Sequence, residues 1–255
     1  MNKNLNFALV FNSNAAGGRK LKLINKVISI LEKEHTVELF KTQSEKHATE
    51  VFKKLSNKKF DRLIVAGGDG SVCFAINEMI KNQSLNDKLV GYIPAGTANI
   101  LQIETQIKKK AKEICQILVS DKHKKINLAR INDKYFFLMA GIGFDSEIVA
   151  SIDTRIKKYL GKIIFALKGF QHFLFLKKNK MQVEVDNKKI MADWILCTNS
   201  KYYAGPHSIT NETNIFEKKI VAYIFRDLTR LKLIYYVWLI LTKGDLTPAK
   251  SVIKI

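Results

Sequence analysis

The sequence predicts an α/β protein with two domains, a doubly wound parallel sheet followed by a β-rich sandwich. Strand-like and helix-like segments alternate to about residue 120, whereas strand-like segments dominate beyond residue 124. In addition, three polar or glycine-rich loops each follow an apolar strand-like segment. Because repeated β-α units build parallel sheets, we expect domains at residues 1–124 and 125–255.

The elements of the first domain follow from its apolar pattern. Strands are predicted at Phe7–Phe11, Thr36–Phe40, Leu63–Ala66 and Leu89–Ile93. Helices are predicted at Leu21–Glu34, Lys46–Leu55, Val72–Ile80 and Ala111–Val119. The carboxyl ends of parallel strands share one edge of the sheet. The loops that follow these strands are therefore expected to meet at that edge.

The second domain is expected to be mostly β structure, interrupted by two helices. Strands are predicted at Lys125–Arg130, Tyr135–Ala140, Met181–Val185, Lys189–Thr198 and Ile220–Phe225, and helices at Tyr159–Leu176 and Leu228–Leu241. Asp186-Asn187 is typical of a hairpin turn. The second helix is apolar but far shorter than the roughly 20 residues that cross a bilayer. It is expected to be a packed helix or an interfacial one.

Composition excludes several classes of protein. With 255 residues, 47% of them hydrophobic, the chain can bury a core and is not expected to be disordered. Its three cysteines are far apart in the sequence, which argues against a disulfide framework or a zinc site. The first apolar run is too short for a signal peptide. We expect a cytoplasmic protein.

The chain is strongly basic. It has 43 Lys and Arg against 23 Asp and Glu, for a formal charge of +20. One interpretation is a solvated lysine-rich surface; the other is attraction to an anionic membrane surface. Nucleic acid is not an expected partner, because no basic segment interleaved with aromatic residues stands out.

One turn carries the clearest functional signal. The strand Arg62–Ala66 runs into Gly67-Gly68-Asp69-Gly70-Ser71, and a helix-like segment follows. A strand, a glycine-rich turn and a helix N-terminus bring several backbone N–H groups near one point, as phosphate sites do. A carboxylate at Asp69 would repel phosphates unless a cation such as Mg²⁺ lay between them. The alternative is a tight connection that only needs glycine conformations.

Two further loops favour the ligand-binding interpretation. Tyr92–Asn99 follows one apolar strand, and Asn12-Ser13-Asn14-Ala15-Ala16-Gly17-Gly18 follows another. In a parallel sheet these loops would face the same crevice as the glycine turn. Three such loops are expected to converge on a nucleotide.

These motifs resemble those of the soluble bacterial diacylglycerol kinase family of lipid kinases, relatives of NAD kinases and phosphofructokinases. The resemblance rests on the Asn12–Gly18 loop, Thr42, the Gly67–Ser71 turn and Pro94-Ala95-Gly96-Thr97-Ala98-Asn99. It implies nucleotide binding by Asn12, Thr42, Gly67, Gly68, Asp69, Gly70, Ser71 and Thr97. It also implies ATP and Mg²⁺ as cofactors, with Asp69 organising the metal through water.

The second half makes the resemblance specific to lipid kinases. Met139–Glu147 is similar to the family's glycine-phenylalanine-aspartate motif, which implies a substrate cleft containing Gly141, Gly143, Phe144 and Asp145. The carboxylates of Asp145 and Glu147 could serve as acid or base. Alternatively, an acidic residue after a glycine-rich loop is a helix N-cap. Glu217 lies in a segment that resembles the family's metal-binding region, where an aspartate is usual.

The implied reaction is transfer of the γ-phosphoryl group of ATP to a lipid hydroxyl such as that of diacylglycerol, a step in phospholipid biosynthesis. The family's late Asp-Gly-Glu motif, which supplies the general base, is not found before Ile255, so we expect a lipid-binding domain that is incomplete and lacks this base. The alternatives are a non-catalytic nucleotide- or lipid-binding relative and an NAD kinase. Expected partners are a lipid alcohol and the inner face of an anionic membrane. The sequence leaves open whether the protein forms a homodimer.

Overall fold

The protein is described by a computed structural model, which covers residues 4–12, 19–84, 88–151, 163–176, 180–203 and 205–255. The chain divides into two compact units. The first comprises the described residues up to Lys125 together with Ile131–Tyr135, and the second comprises Ile126–Arg130 and the described residues from Phe136 to Ile255.

The first unit is a parallel sheet with strand order β2-β1-β3-β4. Its strands are β1 (Asn6–Asn12), β2 (Thr36–Thr42), β3 (Arg62–Gly67) and β4 (Leu89–Pro94). Its helices are α1 (Arg19–Leu31), α2 (Glu45–Leu55), α3 (Asp69–Lys81), α4 (Ile100–Thr105) and α5 (Ala111–Val119). The four predicted strands and four predicted helices are present at these places. Helix α4 was not predicted.

Helices cover both faces of this sheet. Alternate β1 side chains, Phe7, Leu9 and Phe11, pack in one core cluster with residues of α1 and α5. The intervening Ala8 and Val10 are also buried, and α2 packs with α3. Strands that are buried on both faces are typical of doubly wound sheets. This confirms the predicted fold class of the first half.

The second unit is built around an antiparallel sheet of order β14-β13-β10-β7. Its longer strands are β7 (Met139–Gly143), β8 (Met181–Val185), β9 (Lys188–Ala192), β10 (Trp194–Thr198) and β13 (Val221–Phe225). The shorter ones are β5 (Ala129–Ile131), β6 (Lys134–Phe136), β11 (Tyr202–Tyr203), β12 (His207–Ser208) and β14 (Val252–Lys254). The helices are α6 (Phe144–Ala150), α7 (Ile163–Leu174) and α8 (Arg230–Thr242). The β5–β6 pair contributes residues to both units.

Two layers cover the faces of this sheet. The hairpin β8–β9 packs Met181, Val183 and Ile190 against Ile195 and Ile224. The opposite face contributes Trp194 and Phe225 to a cluster that includes α8. The predicted turn of the hairpin is present, and both Asp186 and Asn187 have positive φ, as a two-residue hairpin turn requires. The β-rich layered architecture predicted for the second half is therefore confirmed.

Several predicted boundaries in this half were wrong. The segment Tyr135–Ala140 contains two strands rather than one, because the chain leaves the ladder at Phe137 and Leu138, whose carbonyls accept hydrogen bonds from Asn199. Similarly, Asp193 divides β9 from β10, and its carboxylate accepts a bond from the Leu228 amide. In both places the break lies among buried residues, so the apolar pattern does not reveal it.

The other differences are at element ends. Lys125–Arg130 becomes regular strand only from Ala129, and α8 begins at Arg230 rather than Leu228, with Thr229 accepting a hydrogen bond from the Lys232 amide as its N-cap. The first residues of the predicted helix Tyr159–Leu176 lie outside the described residues. None of the helices in the described ranges has both the length and the hydropathy of a membrane span.

Candidate functional site

The glycine turn joins β3 directly to α3. Strand β3 ends at Gly67, Gly68 is the N-cap, and the helix starts at Asp69, three residues before the predicted start at Val72. The amides of Ser71 and Val72 both donate to the carbonyl of Gly68. The helix can start this early because the carbonyl of Gly68, its N-cap, accepts these two amides of the first turn. Asp69, Gly70 and Ser71 therefore form the first helical turn instead of a separate loop.

The loop after β4 lies against this turn, backbone to backbone. The amide of Ala95 donates to the carbonyl of Gly67 at 2.8 Å. A Cβ atom added to Gly96 would lie 2.2 Å from the Cα of Gly68, and one added to Gly68 would lie 3.0 Å from the Cα of Gly96. Glycine is required at position 96 because of this close approach.

The same loop is closed by Asn99. Its side chain is buried, with the Oδ1 atom accepting hydrogen bonds from the Gly96 amide and the Tyr92 hydroxyl, both at 2.9 Å. Its Nδ2 atom donates to the Gly96 carbonyl at 3.1 Å. Asn99 has φ 53°, a left-handed conformation that asparagine tolerates better than most residues. Burial, and then the charge of Asp69, raise the pKa of the Tyr92 phenol, which keeps it protonated as a donor.

Asp69 connects the two loops. Its Oδ2 atom accepts a hydrogen bond from the Ile100 amide at 2.9 Å, and its Oδ1 atom accepts one from the Leu101 amide at 3.0 Å. These two amides belong to the first turn of α4, where a carboxylate also interacts favourably with the helix dipole. Asp69 thus has a structural role that the sequence analysis did not predict. Each oxygen retains capacity for a second hydrogen bond.

The predicted nucleotide residues of the first unit lie at one edge of the sheet. Phe11 pairs with Ala66, and Gly67 pairs with Pro94, so β1, β3 and β4 end side by side. Asn12 ends β1 and is in register with Thr42 of β2. The Thr42 hydroxyl is buried and donates to the Phe11 carbonyl at 3.3 Å, and Thr97 is half-buried in the β4–α4 loop. The rest of the first loop, residues 13–18, lies outside the described residues.

The predicted substrate residues form a separate cluster in the second unit. Gly143, with φ 88°, is the N-cap of α6, and an added Cβ would lie 2.4 Å from the Asp193 carbonyl oxygen. Asp145 is therefore not the N-cap, and that alternative was wrong. Phe144 lies 5.8 Å from Trp194, ring to ring, at the edge of the hydrophobic core. Phe144 thus contributes to the packing of the second unit.

Asp145 is the most distinctive titratable group of this cluster. Its Oδ1 atom accepts a hydrogen bond from the Tyr203 hydroxyl at 2.7 Å, and its Oδ2 atom would lie 2.7 Å from a Cβ added to Gly141. Burial raises the pKa of Asp145, and the bond from Tyr203 opposes part of that shift. Tyr203 was missed by sequence reasoning, since 58 residues separate it from Asp145 and no local pattern marks the pair.

The predicted metal residue Glu217 is exposed, and the Asn214 side chain donates to its carboxylate. Across the part of the chain that the structure describes, no group of three or more His, Cys, Asp or Glu residues is arranged to hold a metal ion. A role for Glu217 in metal binding stays a prediction.

Comparisons with known proteins agree with the fold. A diacylglycerol kinase from Bacillus anthracis strain Sterne superimposes with a TM-score of 0.73 over 99% of this chain and 83% of the other, at 19% identity. The diacylglycerol kinase of Bacillus subtilis strain 168 is 27% identical over 158 residues, which cover 60% of this chain and 52% of that protein. The diacylglycerol kinase of Staphylococcus haemolyticus is 24% identical over 181 residues, 71% of this chain and 52% of that protein.

In fold and in sequence, the chain is therefore similar to proteins named diacylglycerol kinase. More specifically, residues 6–131 match the sequence model of the diacylglycerol kinase catalytic domain. This match to the diacylglycerol kinase catalytic domain confirms the resemblance found from the motifs. The aligned part spans about half the length of the Bacillus subtilis and Staphylococcus haemolyticus relatives.

Proposed function

We propose that the protein is an ATP-dependent lipid kinase that transfers the γ-phosphoryl group to a lipid hydroxyl such as that of diacylglycerol. One observation carries the proposal: the glycine turn after β3 and the loop after β4 meet at Gly68 and Gly96 in the segment that matches the kinase family. Phosphoryl transfer depends mainly on positioning and charge stabilisation. Closely packed loops hold their backbone groups in fixed positions, which suits both positioning and charge stabilisation.

The start of α3 fits a phosphate group. A Cβ atom added to Gly70 would meet no atom within 4 Å, so the space beside the first helical turn is open. Helix N-termini favour anions through their unpaired amides and dipole. In this proposal Gly67, Gly68, Gly70 and Ser71 surround the phosphates of ATP. Asn12, Thr42 and Thr97 would contact the rest of the nucleotide.

Asp69 fits the proposed magnesium ion through the remaining hydrogen-bond capacity of its two oxygens. Because each already accepts one backbone amide, contact through metal-bound water suits the site better than direct coordination. Bound Mg²⁺ would neutralise the phosphate oxygens and favour charge build-up during transfer. Glu217 is proposed as a metal-binding carboxylate of the second unit.

The lipid substrate is proposed to contact the cluster of Gly141, Gly143, Phe144 and Asp145. Asp145 is the candidate acceptor of the hydroxyl proton, because burial raises its pKa and so makes the carboxylate a stronger base than that of an ordinary aspartate. Since the acceptor is a lipid and the chain has a formal charge of +20, we also propose peripheral binding at the cytoplasmic face of an anionic membrane.

The test is transfer of radiolabelled γ-phosphate from Mg-ATP to a panel of acceptors: diacylglycerol and sphingosine in mixed micelles, and NAD in solution. We expect a labelled lipid phosphate. The variant Gly96→Ala should lower the rate at least about tenfold, because displaced positioning groups reduce transfer strongly. Gly169→Ala in α7, where an added Cβ meets nothing within 4 Å, is the matched control and should leave the rate unchanged.

Two results would overturn the proposal. If ATP binds but no acceptor is labelled, the protein is a non-catalytic nucleotide-binding relative. If NAD alone is labelled, it is an NAD kinase.

A further inference from the structure

Helix α8 (Arg230–Thr242) is apolar on both sides. One side packs Leu233, Tyr236 and Leu239 into the core of the second unit. The other side carries six exposed apolar or aromatic residues, which we call the outer face of α8. They range from 40% to 79% exposed: Leu231, Ile234, Tyr235, Val237, Trp238 and Leu241.

Among the residues that the structure describes, none accounts for the outer face of α8. A surface helix normally buries one apolar stripe and turns charged or polar residues to water. The buried stripe of α8 already supplies its packing, so apolar residues on the other side add nothing to the core. A contiguous exposed apolar patch marks an interaction site.

The aromatic residues of the outer face indicate what kind of surface it meets. Tyr235 and Trp238 stack, with ring centroids 5.9 Å apart and ring planes inclined by 17°. Both side chains combine an apolar ring with a polar atom, a combination enriched at the boundary between lipid and water.

The charges around α8 favour an anionic surface. The helix contains no acidic residue. Arg230 and Lys232 lie in its first turn, Lys243 is its C-cap, and Arg226 lies in the segment that leads into it. The neighbouring acids are engaged locally: Asp227 is paired with Lys180, and the Asp245 carboxylate accepts bonds from the amide and hydroxyl of Thr247. A second copy of this face would bring like charges together, whereas anionic lipid headgroups would neutralise them.

The length of α8 fixes how it can meet a bilayer. Thirteen residues rise about 20 Å, less than the roughly 30 Å hydrocarbon core. Because its other side remains packed in the second unit, the helix would lie in the plane of the membrane. This geometry is that of an interfacial amphipathic helix with basic flanks.

We propose that the outer face of α8 docks the protein onto an anionic bilayer. Its apolar residues would lie at the boundary between the headgroups and the acyl chains, and its basic flanks would contact lipid phosphates. The inference rests on the proposed function, in that a lipid kinase must reach a substrate held in a membrane. It assigns the docking to one helix, which the proposed function does not.

The first test is co-sedimentation of the full chain with vesicles of phosphatidylcholine alone and of phosphatidylcholine mixed equally with phosphatidylglycerol. No nucleotide or diacylglycerol is present, so the outcome is independent of kinase activity. We expect binding to the mixed vesicles only. The double variant Leu231→Ser, Leu241→Ser should weaken it at least about tenfold, while Ile117→Ser, at an exposed apolar position in α5, should not.

The second test uses fluorescence. The chain has two tryptophans: Trp194 is buried and Trp238 is half exposed. Mixed vesicles should shift the emission to shorter wavelength. Trp238→Phe, which keeps an apolar ring, should abolish that shift while sedimentation with vesicles is retained.

Three outcomes would overturn the proposal. Undiminished vesicle binding by the Leu231→Ser, Leu241→Ser variant would place the contact elsewhere. Equal binding to both vesicle types would exclude the charge argument. Lipid-independent self-association in analytical ultracentrifugation, lost in the same variant, would identify a second copy of the chain as the occupant.

Discussion

The molecule places an aspartate beside glycines twice, at Asp69 in the first unit and at Asp145 in the second, with different surroundings. Asp69 accepts two backbone amides at the start of α4. Asp145 instead accepts one phenol, from Tyr203, and burial raises its pKa. Similar local sequences thus give one carboxylate that connects two loops and another whose protonation responds to its environment. The difference arises from residues distant in the chain.

The glycines near these two aspartates also differ, because a Cβ added to Gly96 meets backbone and one added to Gly141 meets a side chain. Substitution of these glycines gives the largest predicted effect on stability. Gly96→Ala forces a Cβ against the backbone of Gly68, which cannot rotate away as a side chain can. We expect a loss of about 3 kcal/mol in the free energy of unfolding, measured by urea denaturation. Gly141→Ala meets only the Asp145 side chain and should cost about 1 kcal/mol. Equal losses of unfolding free energy in the two variants would contradict the distinction between a backbone contact and a side-chain contact.

Asp69→Asn separates the two roles of that carboxylate. An amide nitrogen would face one of the two donors from Ile100 and Leu101, so the unfolding free energy should fall by about 2 kcal/mol. If Asp69 also organises magnesium, Mg-ATP affinity at a temperature far below unfolding should fall as well. A calorimetric titration that finds unchanged Mg-ATP affinity would restrict Asp69 to its structural role.

Tyr203→Phe changes how stability depends on pH. The folded pKa of Asp145 is raised, so the folded state holds its proton to higher pH than the unfolded state, whose value is near 3.8. The contribution of Asp145 to the free energy of unfolding is therefore most favourable below the unfolded pKa and declines as the pH rises through the folded pKa. Without the Tyr203 hydroxyl the folded pKa should rise further, and stability at neutral pH should fall by about 1.5 kcal/mol.

Urea unfolding over a pH series measures this effect, with Asp145→Asn as the control that removes the titration. The difference in unfolding free energy between the wild type and Asp145→Asn should become smaller toward acid pH. A pH profile that Tyr203→Phe leaves unaltered would show that the phenol does not stabilise the carboxylate.

The smallest expected effect is that of Tyr92→Phe in the first unit. It removes one of the two donors to the Asn99 side chain and leaves the Gly96 amide bonded. The loss should be about 1 kcal/mol, with no change in pH dependence below neutral pH. A loss as large as that of Gly96→Ala would mean that the side-chain network, rather than the glycine contact, holds the loop.

The sequence was informative where structure depends on neighbouring residues. The strands of the parallel sheet and the turn at Asp186-Asn187 follow from local apolar patterns and turn chemistry. Helix α4 was missed because its six residues are too few to show a helical period, and its first amides are held by Asp69 from another element. The breaks at Phe137–Leu138 and Asp193 depend on Asn199 and Leu228, far along the chain.

The candidate site shows the same limit. The glycine turn and its partner loops were recognised from sequence, and the structure brings Gly68 and Gly96 into contact. The roles of Asn99 and Tyr203 could not be predicted, because each is set by hydrogen bonds that only the folded chain creates.

The two bonds from Ile100 and Leu101 to Asp69 also have a kinetic consequence. For the β4–α4 loop to open, both amides must leave the carboxylate, or Asp69 must leave the first turn of α3. The two segments should therefore open as one cooperative unit, and the amides of Ile100 and Leu101 should exchange hydrogen at the rate set by the start of α3. A ligand held between them would then be released by a single opening event.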